Sequence, residues 1–193
     1  EGLKPSVSNN YNLNYYWYDM LKGKNMYTGI GMTQTLNAIQ TDVVIHPSLK
    51  RDLYYVDTDK AMINGYVYGG YFFDLIKKQQ IKMNLGLNAN LNNYYNKIKD
   101  LSDVNNPKDF EENKNISYSF GTDIGFQKNT TKGFDFYLNF NPGYRVLKTT
   151  LNPELNSEGF TFDSYGRFTY YLPAKIQLTG ELNYEYEAAT KSL

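Results

Sequence analysis

At 193 residues the chain has the length of one domain. Its 20 Lys plus Arg balance its 20 Asp plus Glu, so it lacks the positive charge that attracts nucleic-acid phosphates, and we expect no nucleic-acid partner. With no Cys and with His46 as the single His, few catalytic or metal-binding arrangements are open to it. We therefore predict no enzyme activity, no cofactor and no metal site.

The composition favours strands and turns, because Tyr occurs 20 times, Gly 15 times and Asn 23 times. In residues 81–91, IKMNLGLNANL, every second side chain is apolar, which is the period of a strand. Similar alternation predicts eight strands in one domain, residues 1–193: 11–18, 27–38, 63–75, 81–91, 116–127, 134–145, 160–172 and 176–188.

The connections between these strands alternate in length. Short turns are predicted at 21–24, 77–80, 129–133 and 173–175, and longer loops at 47–60, 99–114 and 151–158. In the second loop, Asn106, Pro107 and Asp109 predict one helical turn. Short turns at one end of a sheet and long loops at the other are the usual layout of outer-membrane barrels.

Two arrangements share this pattern: a soluble sandwich or lipocalin-like barrel with apolar residues inside, and an outer-membrane barrel with apolar residues facing lipid. Strands of about a dozen residues exceed the usual five or six of soluble proteins and reach the roughly 9 to 11 that cross a tilted bilayer. No apolar run approaches the roughly 20 residues of a membrane helix. The fold class predicted is an all-β antiparallel transmembrane β-barrel of about eight strands, or a segment of a larger outer-membrane barrel.

Aromatic residues of the apolar stripes concentrate toward strand ends, where amphipathic rings would lie at the two membrane surfaces. The predicted interface aromatics are Trp17, Tyr71, Phe73, Phe126, Phe134, Tyr144, Phe162, Tyr170 and Tyr184. The charged and amide residues of the clear strands fall on the opposite stripe. The predicted lumen-facing polar residues are Asn84, Asn88, Asp123, Asp135, Asn139, Arg145, Asp163, Arg167, Glu181 and Glu185.

Three long stretches carry a family resemblance: NGYVYGGYFFDL, IKMNLGLNANLNNYYNKI and ISYSFGTDIGFQKNTTKGFDFYLNFNPGYR. In strand spacing and in Asn/Tyr-rich composition they resemble the C-terminal barrel region of Bacteroidetes outer-membrane β-barrel proteins related to TonB-dependent receptors. The resemblance implies a location in the bacterial outer membrane and a role in nutrient or solute uptake. It also implies contact with outer-membrane lipid and lipopolysaccharide, and the TonB system and a surface lipoprotein as partners.

Such receptors carry an N-terminal plug and an energy-coupling segment, and barrels of this kind typically finish on an aromatic residue. This sequence shows neither segment and finishes AATKSL, so we expect further segments of the same barrel. Two alternatives remain. An OmpA- or OmpX-like structural or adhesive barrel of eight strands predicts that the first and last strands pair. A soluble lipocalin-like binder predicts that Leu85, Phe120, Leu138 and Leu178 point inward.

Other candidate sites have plainer interpretations. We interpret His46 as a solvated residue at the rim, and the acidic group Asp52, Asp57 and Asp59 as a solvated loop, because the glycine and distal Glu of an EF-hand are missing. The glycines at 65, 69 and 70 lie inside a strand and are predicted to permit bending or close packing. Glu181 with Glu185 or Asp163 is interpreted as charge facing the lumen.

Overall fold

A computed structural model describes residues 3–105, 107–130, 132–188 and 191–192. The strands in these residues are β1 Val7–Asp19, β2 Lys24–Leu36, β3 Ile39–Ile45, β4 Arg51–Asp57, β5 Met62–Ile76, β6 Ile81–Asp100, β7 Glu111–Lys128, β8 Gly133–Thr149, β9 Ser157–Tyr171, β10 Gln177–Glu187 and β11 Lys191–Ser192. Eight of them form the body of one sheet in the order β1-β2-β5-β6-β7-β8-β9-β10. Each neighbouring pair in this order is antiparallel. The all-β antiparallel fold and the eight predicted strands are confirmed.

The alternation of short turns and long loops is also confirmed. Tight connections at 20–23, 77–80, 129–132 and 172–176 gather at one end of the sheet, which we call the turn end. Longer connections at 37–61, 101–110 and 150–156 gather at the opposite end, the loop end. Gly23 has a φ of 62° in the first tight turn, a left-handed conformation that glycine adopts without steric cost.

Part of the predicted first loop is instead a β-hairpin. β3 and β4 pair along their whole lengths, from Ile39 with Asp57 to Ile45 with Arg51. β3 also pairs in parallel with the far end of β6, from Val43 with Ile98 to Ile45 with Asp100. This addition is possible because β6 has 20 residues and extends past the end of β5 at the loop end.

The second loop is also shorter than predicted, because β6 continues to Asp100 and β7 begins at Glu111. Asn106, the proposed cap of a helical turn, lies outside the described residues, as do residues 189, 190 and 193 of the predicted C-terminal end. Residues 107–110 have no helical structure, so the helical turn expected there is not formed. Short 3-10 helices lie instead at Lys77–Gln79, Pro153–Leu155 and Pro173–Lys175.

The register divides the sheet into two faces, because directly paired residues point to the same side. One ladder row crosses all eight strands, and we call the side it belongs to the apolar face: Trp17, Met26, Tyr71, Leu85, Ile124, Phe140, Ser164 and Tyr184. The neighbouring row lies on the other side, the polar face: Tyr18, Asn25, Phe72, Asn84, Gly125, Asn139, Tyr165 and Asn183.

The sheet is open within the described residues, since β1 pairs only with β2 and β10 only with β9. The pairing of first with last strand that a closed eight-stranded barrel requires is therefore not observed there. A sealed apolar interior is not observed either, because Leu85, Phe120 and Leu178 are 42%, 57% and 59% exposed.

Buried apolar residues in the described part are few and are confined to the loop end. These residues are Ala38, Val44 and Val146. They lie where the β3–β4 hairpin and the end of β8 meet the longer connections. The middle and the turn end of the sheet thus consist of a single layer with two accessible faces.

Candidate functional site: the polar face of the sheet

The polar face contains every residue that the sequence predicts to face a lumen. Register and strand alternation place Asn84, Asn88, Asp123, Asp135, Asn139, Arg145, Asp163, Arg167, Glu181 and Glu185 together on this face. They extend over the five strands from β6 to β10. The period of two in the sequence is sufficient to sort these residues to one side, whatever surrounds that side.

One half of the polar face, on β1, β2 and β5, is rich in tyrosine, and its one charged residue in the described strands is Asp74, near the turn end of β5. These tyrosines are not among the polar-face residues predicted from the sequence. The ring of Tyr68 lies over Gly29 of the adjacent strand, so closely that a Cβ on Gly29 would meet Tyr68 Cε1 at 2.7 Å. Tyr66 lies over Gly31 in the same way, and the two rings stack with centroids 6.0 Å apart. Glycine on one strand thus provides the space that a ring on the next strand occupies.

Hydrogen bonds tie these rings to the edge strand β1. Tyr66 Oη donates to Asn12 Oδ1 at 2.9 Å, and Tyr68 Oη donates to Asn14 Oδ1 at 3.2 Å. Gly70 accommodates the ring of Tyr27 by the same close approach, which confirms the close packing predicted for that glycine. The sequence signal was the matched spacing of Gly29 and Gly31 in β2 with Tyr66 and Tyr68 in β5.

Asp123 forms the centre of the polar face. Its carboxylate accepts hydrogen bonds from Asn84 Nδ2 and, at 3.2 Å, from Asn139 Nδ2. Asn139 Nδ2 also donates to Asn141 Oδ1 at 3.1 Å. The carboxylate is thus held by neutral amides, and no cation in the described residues is bonded to it. It lies where the β7–β8 ladder is interrupted, next to Pro142, which has no backbone N–H to donate.

The other half of the polar face, on β8, β9 and β10, is charged. Arg167 Nε lies 3.9 Å from Glu181, and Arg145 lies 3.7 Å from Glu187. Asp163 is directly opposite Glu185 in the β9–β10 ladder. Glu181, Glu185 and Asp163 therefore belong to a series of charged residues along β9 and β10 on the polar face.

A small recess opens at the turn end of the charged half. It encloses about 580 Å³ and is lined by Gln80, Asn129, Thr130, Lys132, Asp135 and Tyr171. Tyr171 Oη donates to Asp135 at 2.9 Å and closes one wall. The groups that line it are hydrogen-bonding side chains with one cation and one anion, and they include only Asp135 of the predicted lumen residues.

The predicted interface aromatics all lie on the apolar face. Six are toward the turn end of their strands and three toward the loop end: Trp17, Tyr71, Phe73, Phe126, Phe134 and Tyr170 in the first group, and Tyr144, Phe162 and Tyr184 in the second. Several are half-exposed, including Trp17, Phe134 and Tyr184. A groove of about 920 Å³ crosses this face between Tyr71, Leu85 and Phe120.

The loop end contains a hydrogen-bonded network that was not predicted from the sequence. Asn113 is buried, and its Oδ1 accepts from Thr149 Oγ1 at 2.6 Å and from the Leu151 backbone N–H at 3.0 Å. Asp42 is buried in the hairpin, and its carboxylate accepts from the Lys97 backbone N–H at 2.8 Å. Asn113 and Asp42 thus accept hydrogen bonds from the backbone N–H groups of Leu151 and Lys97. These bonds attach the loop after β8 and the β3–β4 hairpin to the main sheet.

His46 and the first acidic group lie at this end as well. His46 Nε2 is 2.8 Å from Asp52, and Lys50 Nζ is 3.0 Å from the same carboxylate. The hydrogen bond from Lys50, together with that from His46, holds the pKa of Asp52 below its ordinary value. Lys4 lies 3.8 Å from both Asp57 and Asp59, so each of the three carboxylates has a cation or the His46 ring beside it.

Within the described ranges, no group of three or more His, Cys, Asp or Glu side chains is placed to hold a metal ion. None of the helices in the same ranges has the length and apolar character needed to cross a membrane. Comparison of the chain with protein-family models, with curated proteins and with solved structures found no match.

Proposed function

We propose that this chain is a section of the wall of an outer-membrane β-barrel, part of a TonB-dependent receptor-like transporter that takes up a nutrient or another solute. The apolar face contacts outer-membrane lipid and lipopolysaccharide, and the polar face lines the interior along which the solute passes. The loop end lies at the cell surface and the turn end in the periplasm, as is usual for such barrels.

The observation that carries this proposal is the continuous apolar face, which is exposed across the whole width of the sheet. Leu13 on β1 is 70% exposed, Leu87 on β6 67% and Leu182 on β10 67%. Soluble monomers rarely expose a contiguous apolar patch larger than a few hundred Å², and this one spans eight strands. Contact with lipid hydrocarbon would remove the free-energy cost of exposing this face to water.

Strand length and charge placement support the same proposal. The eight strands of the main sheet have from 11 to 20 residues, at least the roughly 9 to 11 that a tilted transmembrane strand needs. Charged residues in the middle of the strands lie on the polar face, where they avoid a cost of about 2 to 4 kcal/mol for a Lys or Arg at the bilayer centre.

The slant of the ladder rows also agrees with a barrel wall. The row that starts at Trp17, next to the turn end of β1, reaches β10 at Tyr184, past the middle of that strand. Successive strands are therefore staggered, and closing a sheet into a barrel requires such a stagger. β1 and β10 are the two open edges of the sheet. In a larger barrel, additional strands would pair with each of these edges. A closed barrel of eight would require β1 and β10 to pair with each other, so the larger barrel agrees better with the observed sheet.

A matched pair of arginine substitutions tests which side faces lipid. Leu87→Arg should lower the free energy of unfolding in phospholipid vesicles by about 2 to 4 kcal/mol, because it puts a charge on the lipid-facing side. Asn88→Arg, the adjacent residue on the other face, should change it by less than about 0.5 kcal/mol. A chain that is monomeric and folded without detergent, or an equal effect of both substitutions, would contradict a membrane location.

The transport role has a separate test in cells. Deleting the gene that encodes the protein should impair growth on at least one limiting nutrient. Inactivating the TonB system should cause the same growth defect. A deletion that impairs the integrity of the envelope but the uptake of none of the nutrients tested would instead support the OmpA- or OmpX-like structural role.

A further inference from the structure

The strand β10 presents an open edge. All 11 of its residues are exposed, and within the described residues its only ladder is with β9. An unpaired edge exposes a row of N–H and C=O groups that readily accept another strand. What that other strand contains can be inferred from the charges of β10.

The polar side of this edge is acidic. The polar face of β10 contains three glutamates, Glu181, Glu185 and Glu187. Glu181 and Glu187 lie near Arg167 and Arg145, at 3.9 and 3.7 Å. Glu185 is directly opposite Asp163, and neither forms an ion pair in the part of the chain that the structure describes. Like charges directly opposite each other destabilise a strand pair, so this position lacks a counter-charge.

The other open edge of the same sheet cannot supply one. The polar-face residues of β1 are all uncharged: Ser8, Asn10, Asn12, Asn14, Tyr16 and Tyr18. Pairing β10 with β1, in the same chain or in a second copy, would leave Glu185 and Asp163 without a cation. Pairing β10 with β10 of a second copy would bring two acidic rows together.

We propose that β10 pairs with a further antiparallel barrel strand, from outside the described residues, that carries Lys or Arg on its polar face near Glu185 and Asp163. This inference rests on the proposed barrel wall. Its apolar residues continue the apolar face, and its cations face the interior. The acidic row of β10 then acts as a selectivity element that admits a basic strand and rejects β1 and second copies.

Designed peptides test the preference directly. The chain has no Cys, so Asn183→Cys places a single environment-sensitive fluorophore on the polar face of β10 between Glu181 and Glu185. The labelled protein, in detergent micelles, is titrated with three peptides as long as β10 in which Val alternates with Lys, Asn or Glu. The Lys peptide should bind about ten-fold more tightly than the Asn peptide, and the Glu peptide most weakly.

Glutamine variants connect the preference to this edge. Glu181→Gln with Glu185→Gln should reduce the preference for the Lys peptide over the Asn peptide to about two-fold or less. Glu154→Gln, at an exposed carboxylate in the loop after β8, should leave it unchanged. Equal binding of the three peptides, or a preference that survives the double substitution, would overturn the inference.

A disulfide experiment examines the competing pairing. If Asn12→Cys and Asn183→Cys in one chain form a disulfide in the same micelles, β1 occupies the edge and the inference fails. Absence of that disulfide, together with the charge-dependent binding, supports it. The free energies of unfolding of Leu87→Arg and Asn88→Arg in vesicles are measured independently of peptide binding. A chain that inserts in lipid but shows no preference for the Lys peptide would refute the basic partner strand and leave the proposed membrane location standing.

Discussion

Replacing Gly29 by Ala tests whether tyrosine rings packed on glycines hold β2 and β5 together. A Cβ on Gly29 would lie 2.7 Å from Tyr68 Cε1 and 2.5 Å from Asn14 Oδ1. Both side chains must move, which breaks the hydrogen bond from Tyr68 Oη to Asn14. The substitution should therefore destabilise the fold, although Ala is intrinsically favoured over Gly in a strand.

The magnitude follows from three terms. Overpacking typically costs about 1 to 3 kcal/mol, and the lost hydrogen bond about 0.5 to 1.5 kcal/mol. The reduced backbone entropy of the unfolded chain returns about 0.4 to 1 kcal/mol. Because the last two terms nearly cancel, we expect Gly29→Ala to lower the free energy of unfolding by about 1 to 3 kcal/mol, which is the steric term.

Equilibrium denaturation in detergent, followed by the fluorescence of the single Trp, measures this change. Gly65→Ala is the matched control, since its new Cβ would meet only the Gly31 carbonyl oxygen at 3.8 Å, and it should be neutral or slightly stabilising. In a Tyr68→Ala background the ring is gone and Asn14, released from its hydrogen bond to Tyr68, can rotate away from the new Cβ, so the cost of Gly29→Ala should largely disappear. A cost that persists without the Tyr68 ring would refute the packing argument.

The remaining predictions concern the loop end. Asn113→Ala should cost about 1 to 3 kcal/mol and increase amide exchange in the loop after β8, because Thr149 and the loop backbone lose a buried acceptor. Asp42→Ala should release the β3–β4 hairpin from Lys97 of β6, seen as faster proteolysis within the hairpin while the main sheet remains protected. The lowered pKa of Asp52 means that its stabilisation of the hairpin is complete above the ordinary Asp value and is lost as the pH falls through the lowered pKa, so the amide protection factors in β4, which correct for the slower intrinsic exchange in acid, should fall at acidic pH. Asp52→Asn should remove this pH dependence, and an unchanged acid response in that variant would contradict the assignment.

The hairpin is the largest element that the sequence did not reveal. β3 and β4 have seven residues each, and β3 contains Gln40 and Asp42 at positions that are buried in the structure. A polar residue in a short segment is usually taken as evidence of a loop. Here Asp42 is tolerated in the interior because Lys97, distant in sequence, provides a backbone N–H.

The tyrosines over glycines show a second limit of sequence reasoning. Gly29 and Tyr68 are recognisable as small and large residues, but their contact depends on the register between β2 and β5. These strands are separated in the chain by the hairpin, and the register observed places Gly29 directly opposite Tyr68. Shifting it by a single residue would move every side chain to the opposite face.

Which residues share a face follows from the sequence alone, because alternation along a strand results from local backbone geometry and requires no partner. The same local patterns and turn residues fix the number of long strands and the alternation of turns and loops. The open edges, the hairpin on β6 and the contacts of Tyr66, Tyr68 and Asp123 are visible only in the folded structure. These depend on pairings between residues far apart in the chain, whose energy is gained only after the intervening segments have been ordered.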